Sequence, residues 1–146
     1  MSWGETALLK GLSFLLVEDE ILIAMDAKSM LEEAGAEIVE VASKVADALR
    51  VLSTMVPHAA ILDVNLRSGT SFPIADELAT RGIPFIFCTG YGSQIVLPPR
   101  HISVPVVGKP YTYERLIAGV TEELNRRGRA NEVGMKPRGQ VSPPAR

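Results

Sequence analysis

The run Ala59-Ala60-Ile61-Leu62-Asp63 passes from four apolar residues straight to an aspartate. A short apolar run after Pro57 reads as a buried strand. Asp63 then falls at its carboxyl end, where ligands and chemistry gather in an open parallel sheet. An acid in that place is a metal ligand, a nucleophile or an uncompensated charge.

The same rhythm recurs along the chain. Leu12-Ser13-Phe14-Leu15-Leu16-Val17 is a first strand that ends in Glu18-Asp19-Glu20. Residues 21–34 read as a helix, with Ile23, Ala27, Met30 and Ala34 at helical spacing and Ala24 and Leu31 beside them. Gly35 stops it. Glu37-Ile38-Val39-Glu40-Val41 alternates acid and apolar, as a strand near a sheet edge does. Residues 44–55 form a second helix, with Val45, Leu49, Leu52 and Val56 on one face.

Asn65 opens a polar, turn-rich loop. Pro73 then starts a third helix that turns Ile74, Leu78 and Ala79 inward, and Gly82 closes it. Pro84-Phe85-Ile86-Phe87-Cys88-Thr89 is a fourth strand with a hydroxyl at its end. A fourth helix belongs next, but Pro98-Pro99 restricts it to a short or irregular turn. Val104-Pro105-Val106-Val107-Gly108 is a fifth strand, placed by Pro105 at an edge or bend. Thr112 caps a last helix whose shared face holds Tyr113, Leu116, Ile117, Val120 and Leu124. Periodicity fades at Asn125.

Five strands alternating with helices imply a doubly wound α/β fold, flavodoxin-like, with a parallel sheet in the order 2-1-3-4-5. The expected divisions are a lead-in over residues 1–11, one domain over 12–126 and a disordered basic tail over 127–146. The 146 residues, 47 % of them hydrophobic, suffice for one core. A net charge of −2 argues against a nucleic-acid-binding body. The lone Cys88 forms no internal disulfide, which fits a cytoplasmic protein. No apolar run approaches the roughly 20 residues of a membrane helix, and no signal peptide is evident.

The carboxyl ends of the strands supply the chemistry. Glu18 and Asp19, Asp63, Thr89 and Lys109 each follow a different strand. Three carboxylates meeting at the switch point call for a hard cation, and Mg²⁺ suits them, with the main-chain carbonyl of Asn65 as a further ligand. Lys109 and Thr89 add a fixed positive charge and a hydroxyl donor, which match a transferring phosphoryl group. Asp63 is the expected nucleophile, forming an acyl phosphate. Gly90 admits backbone N–H groups to the oxygens. The Lys109-Pro110 bond is a candidate for cis geometry that aims Lys109. Alone, each residue has an ordinary structural use as a cap, a turn former or a solvated charge. Their joint placement at successive strand ends carries the functional reading.

These motifs, Val17-Glu18-Asp19-Glu20, Ile61-Leu62-Asp63-Val64-Asn65-Leu66, Thr89-Gly90 and Lys109-Pro110, resemble the receiver domain of bacterial two-component response regulators over residues 12–124. The resemblance implies that Asp63 accepts a phosphoryl group from a histidine kinase or phosphotransfer protein. It implies that Glu18 and Asp19 form the acidic metal pair, Thr89 the switch hydroxyl and Lys109 the phosphate-pairing lysine. It implies a signalling domain rather than an enzyme, with self-catalysed phosphoryl transfer and slow dephosphorylation only.

The stretch from Pro84 to Gly92 is similar to the Phe-Ala-Thr-Gly-x-Tyr subgroup of receivers, common in alphaproteobacteria and often without output domains. Here Cys88 replaces the alanine and Tyr91 follows Gly90 directly. Some members of that subgroup act in general stress signalling. Glu18 stands where aspartate is commoner, and Val106 where many receivers carry an aromatic switch residue. The segment 89–103 is therefore the expected bistable element, with Tyr91 as its moving ring. Tyr91 and Asn65 are expected to tune how water reaches the acyl phosphate.

About twenty residues follow Leu124, too few for a DNA-binding fold. The expectation is thus output through a downstream protein partner, or a homodimer, on the last helix and strand five, with a phosphate shuttle or sink as the alternative. A haloacid-dehalogenase-type phosphatase is the rival reading, but it wants a second Asp where Asn65 stands. Cys88 reads as a small core residue. His58 and His101 lack metal-ligand spacing and read as surface imidazoles.

Overall fold

In the computed structural model, residues 8–90 and 95–132 are described. Strand β1 (Ser13–Val17) leads through α1 (Ile21–Glu33) to β2 (Ile38–Ala42), then through α2 (Val45–Leu52) to β3 (Ala59–Asp63). A small antiparallel hairpin, β4 (Asn65–Leu66) and β5 (Gly69–Thr70), occupies the expected polar loop. Helix α3 (Phe72–Thr80), β6 (Phe85–Thr89), β7 (Val106–Gly108) and α4 (Tyr113–Glu132) complete the chain. The sheet runs β2-β1-β3-β6-β7 with every pairing parallel. Since the hairpin adds two short strands, β6 and β7 are the fourth and fifth of the 2-1-3-4-5 order.

Strand parity sorts the core. Leu15, Val17, Ala60, Leu62, Phe85 and Phe87 pack under α2 and α3. Phe14, Leu16, Ala59, Ile61, Ile86 and Cys88 pack under α1 and α4. Alternate residues of a strand face opposite sides, so two helical layers need apolar residues at every position. That is why β3 is buried throughout and why it reads as an unbroken apolar run. Just before β1, Leu9 is fully buried and donates its N–H to the Ala34 carbonyl at 2.9 Å. Gly35 and Gly82 take φ of 108° and 71° after α1 and α3, a backbone open chiefly to glycine. The Thr112 hydroxyl caps α4 by accepting from the Arg115 N–H at 3.2 Å.

Several sequence expectations shift. The inner face of α2 is Ala48 and Leu52, whereas Val56 is 74 % exposed beyond the helix end. Between β6 and β7, the described residues hold a single short turn, Pro99–His101. Its His101 is no surface imidazole: the ring is fully buried among Phe72, Phe85 and Phe87. His58 is exposed, and its Nδ1 accepts from the Ser13 N–H. The last helix also passes position 126 and continues to Glu132. Its inner stripe turns polar: buried Glu123 is met by Arg126 at 2.7 Å, and Arg127 is buried close by. Apolar periodicity cannot register such a face.

Candidate functional site

The register of the sheet brings the strand ends together. Val17 lies beside Leu62, Asp63 beside Cys88, and Thr89 beside Gly108. The residues that follow β1 and β7 therefore converge on the last residue of β3. Glu18, Asp19 and Asp63 each offer a carboxylate oxygen, all within 4.8 Å of one another. Glu18 and Asp63 are almost wholly buried, at 3 % and 6 % exposure.

Lys109 bridges them. Its Nζ donates to Glu18 Oε1 at 2.7 Å and to Asp63 Oδ2 at 3.2 Å. The Lys109-Pro110 peptide is cis, as the sequence suggested. Burial pushes the Asp63 carboxyl up from its ordinary 3.8 to about 6, the Glu18 charge pushes the same way, and Lys109 opposes both. Burial works against the Lys109 charge, yet the two carboxylates hold its ammonium above the usual lysine range.

Two main-chain donors complete the frame. The Glu20 N–H donates to Glu18 Oε2 at 3.1 Å, and the Arg67 N–H to Asp19 Oδ2 at 2.6 Å. The β4–β5 hairpin thus steadies Asp19 from 48 residues away. Sequence reasoning missed both contacts, since a backbone amide leaves no mark in a side-chain pattern. Among the described residues, the buried Thr89 hydroxyl has no hydrogen-bond partner. Buried hydroxyls are normally paired, so this one is an exception at the carboxyl end of β6.

The remaining candidates sit further out. Asn65 is exposed and its backbone pairs with Thr70. Gly90 lines a pocket of about 280 Å³ with Lys109, Pro110 and Tyr111 on one side and Ile23 and Met30 of α1 on the other. Val106 lies at the outer edge of β7, 42 % exposed and level with Phe87, well before the acidic end. Tyr91 lies outside the described residues. Cys88 is buried, and burial pushes its thiol far above the usual range, as suits a core residue.

A carboxylate triad at the carboxyl edge of a doubly wound parallel sheet, with a lysine across from it, is the arrangement of a signalling receiver domain. The chain belongs to the response regulator receiver domain family, whose pattern matches residues 14–120. It is similar to SdrG from Sphingomonas melonis Fr1, with 41 % identity over 87 % of this chain and 98 % of that one and a TM-score of 0.66. It is also similar to the phyllosphere-induced regulator PhyR of Methylorubrum extorquens, with 29 % identity over 75 % of this chain and 42 % of that protein. The structure of the response regulator PhyR from Brucella abortus gives 25 % identity, a TM-score of 0.72 and coverage of 89 % and 54 %. The chain thus spans about half the length of the curated relatives it matches, 42 % to 56 %. The two-component assignment and the receiver fold hold. Receiver domains are signalling modules that work with kinases and downstream partners. Among the described residues, no helix is long and apolar enough to cross a membrane.

The donor set fits the Mg²⁺ that receivers typically bind. It is all oxygen and anionic, and Lys109 alone cannot balance three carboxylates.

Proposed function

We propose that Asp63 accepts a phosphoryl group from a histidine kinase or phosphotransfer protein of the cytoplasm, and that the phosphorylated domain signals by a conformational change to a partner protein. The observation that carries this reading is the meeting of Glu18, Asp19 and Asp63 within 4.8 Å, with Lys109 bonded across Glu18 and Asp63. Structural packing alone gives no reason to bury two carboxylates at adjacent strand ends, because each pays a desolvation penalty.

The carboxylate of Asp63 attacks phosphorus. A P–O bond forms as the P–N bond of the donor's phosphohistidine breaks, and the imidazole leaves with the bonding pair. Glu18 and Asp19, with the carbonyl of Asn65, would hold Mg²⁺, which when bound supplies positive charge to the phosphoryl oxygens. Lys109, already beside Asp63, neutralises the added charge. Thr89 donates its unpartnered hydroxyl to a phosphoryl oxygen. Asn65 and Tyr91 govern the approach of water.

Val106 offers no ring to rotate, so the response begins at Thr89 and runs into the following segment. The edge formed by β7 and α4 is the proposed face for a partner or a second copy. Val106 and Ile102, exposed at 42 % and 70 %, give apolar footing on the chain entering that edge.

Incubation with acetyl phosphate and Mg²⁺, followed by intact mass, tests the proposal. One phosphoryl group is expected on the wild type and none on Asp63→Asn. Equal modification of the variant, or none on either protein, overturns it.

A further inference from the structure

The connection between β6 and β7 is tied to α3 through one carboxylate. Arg100 grips Asp76 with both nitrogens of one edge, Nε to Oδ1 at 2.6 Å and Nη2 to Oδ2 at 3.0 Å. The next residue, His101, places Nε2 2.7 Å from the same Oδ1. The Asp76 carboxyl is held below its ordinary range, chiefly by the Arg100 guanidinium. An ion pair as exposed as Arg100 and Asp76 contributes little alone. The imidazole changes the balance because it is fully buried.

The His101 ring centroid lies 5.7 Å from Phe85, 6.0 Å from Phe87 and 6.5 Å from Phe72. Its Nδ1 has no partner in these apolar surroundings. Among the described residues, the bond to Asp76 is thus the one polar anchorage of the ring. Around it the backbone closes on itself: the His101 N–H donates to the Pro98 carbonyl at 2.9 Å, and the Val104 N–H to the His101 carbonyl at 3.1 Å. The Phe87 N–H donates to the Pro105 carbonyl at 2.9 Å. Phe85, Phe87 and Thr89 alternate along β6 and share its α3 side. A shift of Thr89 along that strand meets Phe87, and Phe87 meets a ring secured to α3. Close-packed cores do not yield continuously to such a push.

We infer that Asp76, with Arg100 and His101, anchors the far half of this connection, so that residues 98–104 move with α3. Resting on the phosphoacceptor reading, it follows that the response starting at Thr89 ends before Pro98. The bistable element is therefore shorter than the 89–103 span that the sequence suggests. Asp76 and His101 act as positioning residues that set this limit and take no part in the chemistry.

Amide hydrogen exchange on the full chain tests the inference, with and without beryllofluoride and Mg²⁺. In the wild type, the His101 and Val104 amides should exchange as slowly as that of Phe87 and stay within about twofold when beryllofluoride is added. In Asp76→Asn, an isosteric change at a half-exposed position, both amides should accelerate by about tenfold while β1 and β3 keep their rates. Beryllofluoride should then alter residues 98–104 as well. His101→Leu, which keeps an apolar filler, should release the same amides. Unchanged exchange in either variant, acceleration spread evenly over the sheet, or a wild-type response at His101 and Val104 overturns the anchor. If beryllofluoride leaves Asp63 and Thr89 unperturbed, the phosphoacceptor reading fails, while the variants without it still decide the anchor.

Discussion

Lys109 sits closer to Glu18 than to Asp63, at 2.7 Å against 3.2 Å. The lysine rests on the acid outside β3 and leaves the strand-end carboxylate the freer of the two. Removing it leaves two buried carboxylates facing each other. Lys109→Met should therefore raise the Asp63 carboxyl above about 6 and, at pH 8, lower stability by roughly 2–4 kcal/mol. At pH 5 the loss should be smaller, because a protonated Asp63 no longer needs the cation. Urea unfolding at the two pH values checks this, and an equal loss at both would count against it.

Asp63 itself opposes folding when charged. Its carboxyl lies near 3.8 in the unfolded chain and about 6 in the folded one, so between those values the folded state holds the extra proton. The stability contributed by the protonated form is complete below about pH 3.8 and lost as pH rises through about 6. That difference corresponds to about 3 kcal/mol. In metal-free buffer at pH 8, Asp63→Asn should be more stable than the wild type by an amount of that order. Its stability should also vary less between pH 4 and pH 6. Mg²⁺ should raise the melting temperature of the wild type more than that of the variant. Scanning calorimetry with EDTA or Mg²⁺ reads both effects.

Glu123 makes a similar case on α4. Burial pushes its carboxyl from 4.5 to about 7, with Arg126 and Arg127 pulling it back. Stability from its protonated form is present below about pH 4.5 and lost as pH rises through about 7. Glu123→Gln should stabilise the domain at pH 8 and make little difference at pH 5, by denaturant midpoint at each pH.

Gly119 lets α4 lie against β7. A Cβ there would stand 3.0 Å from Val107 Cγ2 and 3.7 Å from Ile86 Cδ1. Gly119→Ala gains up to about 1 kcal/mol of helix propensity and spends most of it on that contact, so it should be near neutral. Gly119→Leu has no such room and should cost roughly 1–3 kcal/mol, partly recovered by Val107→Ala in the double variant. Thermal melts of the four proteins check the order.

The legible parts of this chain are those where the local pattern and the tertiary role coincide. β3 and β6 are covered on both faces, so their continuous apolar runs announce them, and the polar residue that ends each run marks the site. The end of α4 was hidden because its later inner positions are the buried, ionisable Glu123 and Arg127, which an apolar periodicity does not register. His101 was misread because its partners lie on α3 and β6, brought near only by the fold. The Arg67 amide that steadies Asp19 carries no side-chain signal at all.

Asp63 is the proposed phosphoryl acceptor among three clustered acids. Acyl phosphates are cleaved by borohydride to the alcohol, so reduction after phosphorylation converts the acceptor aspartate to homoserine. Peptide mapping after acetyl phosphate, Mg²⁺ and borohydride should place homoserine at position 63 and leave Asp19 and Glu18 unreduced. Homoserine at another position, or none despite Mg²⁺ and donor, would contradict the account.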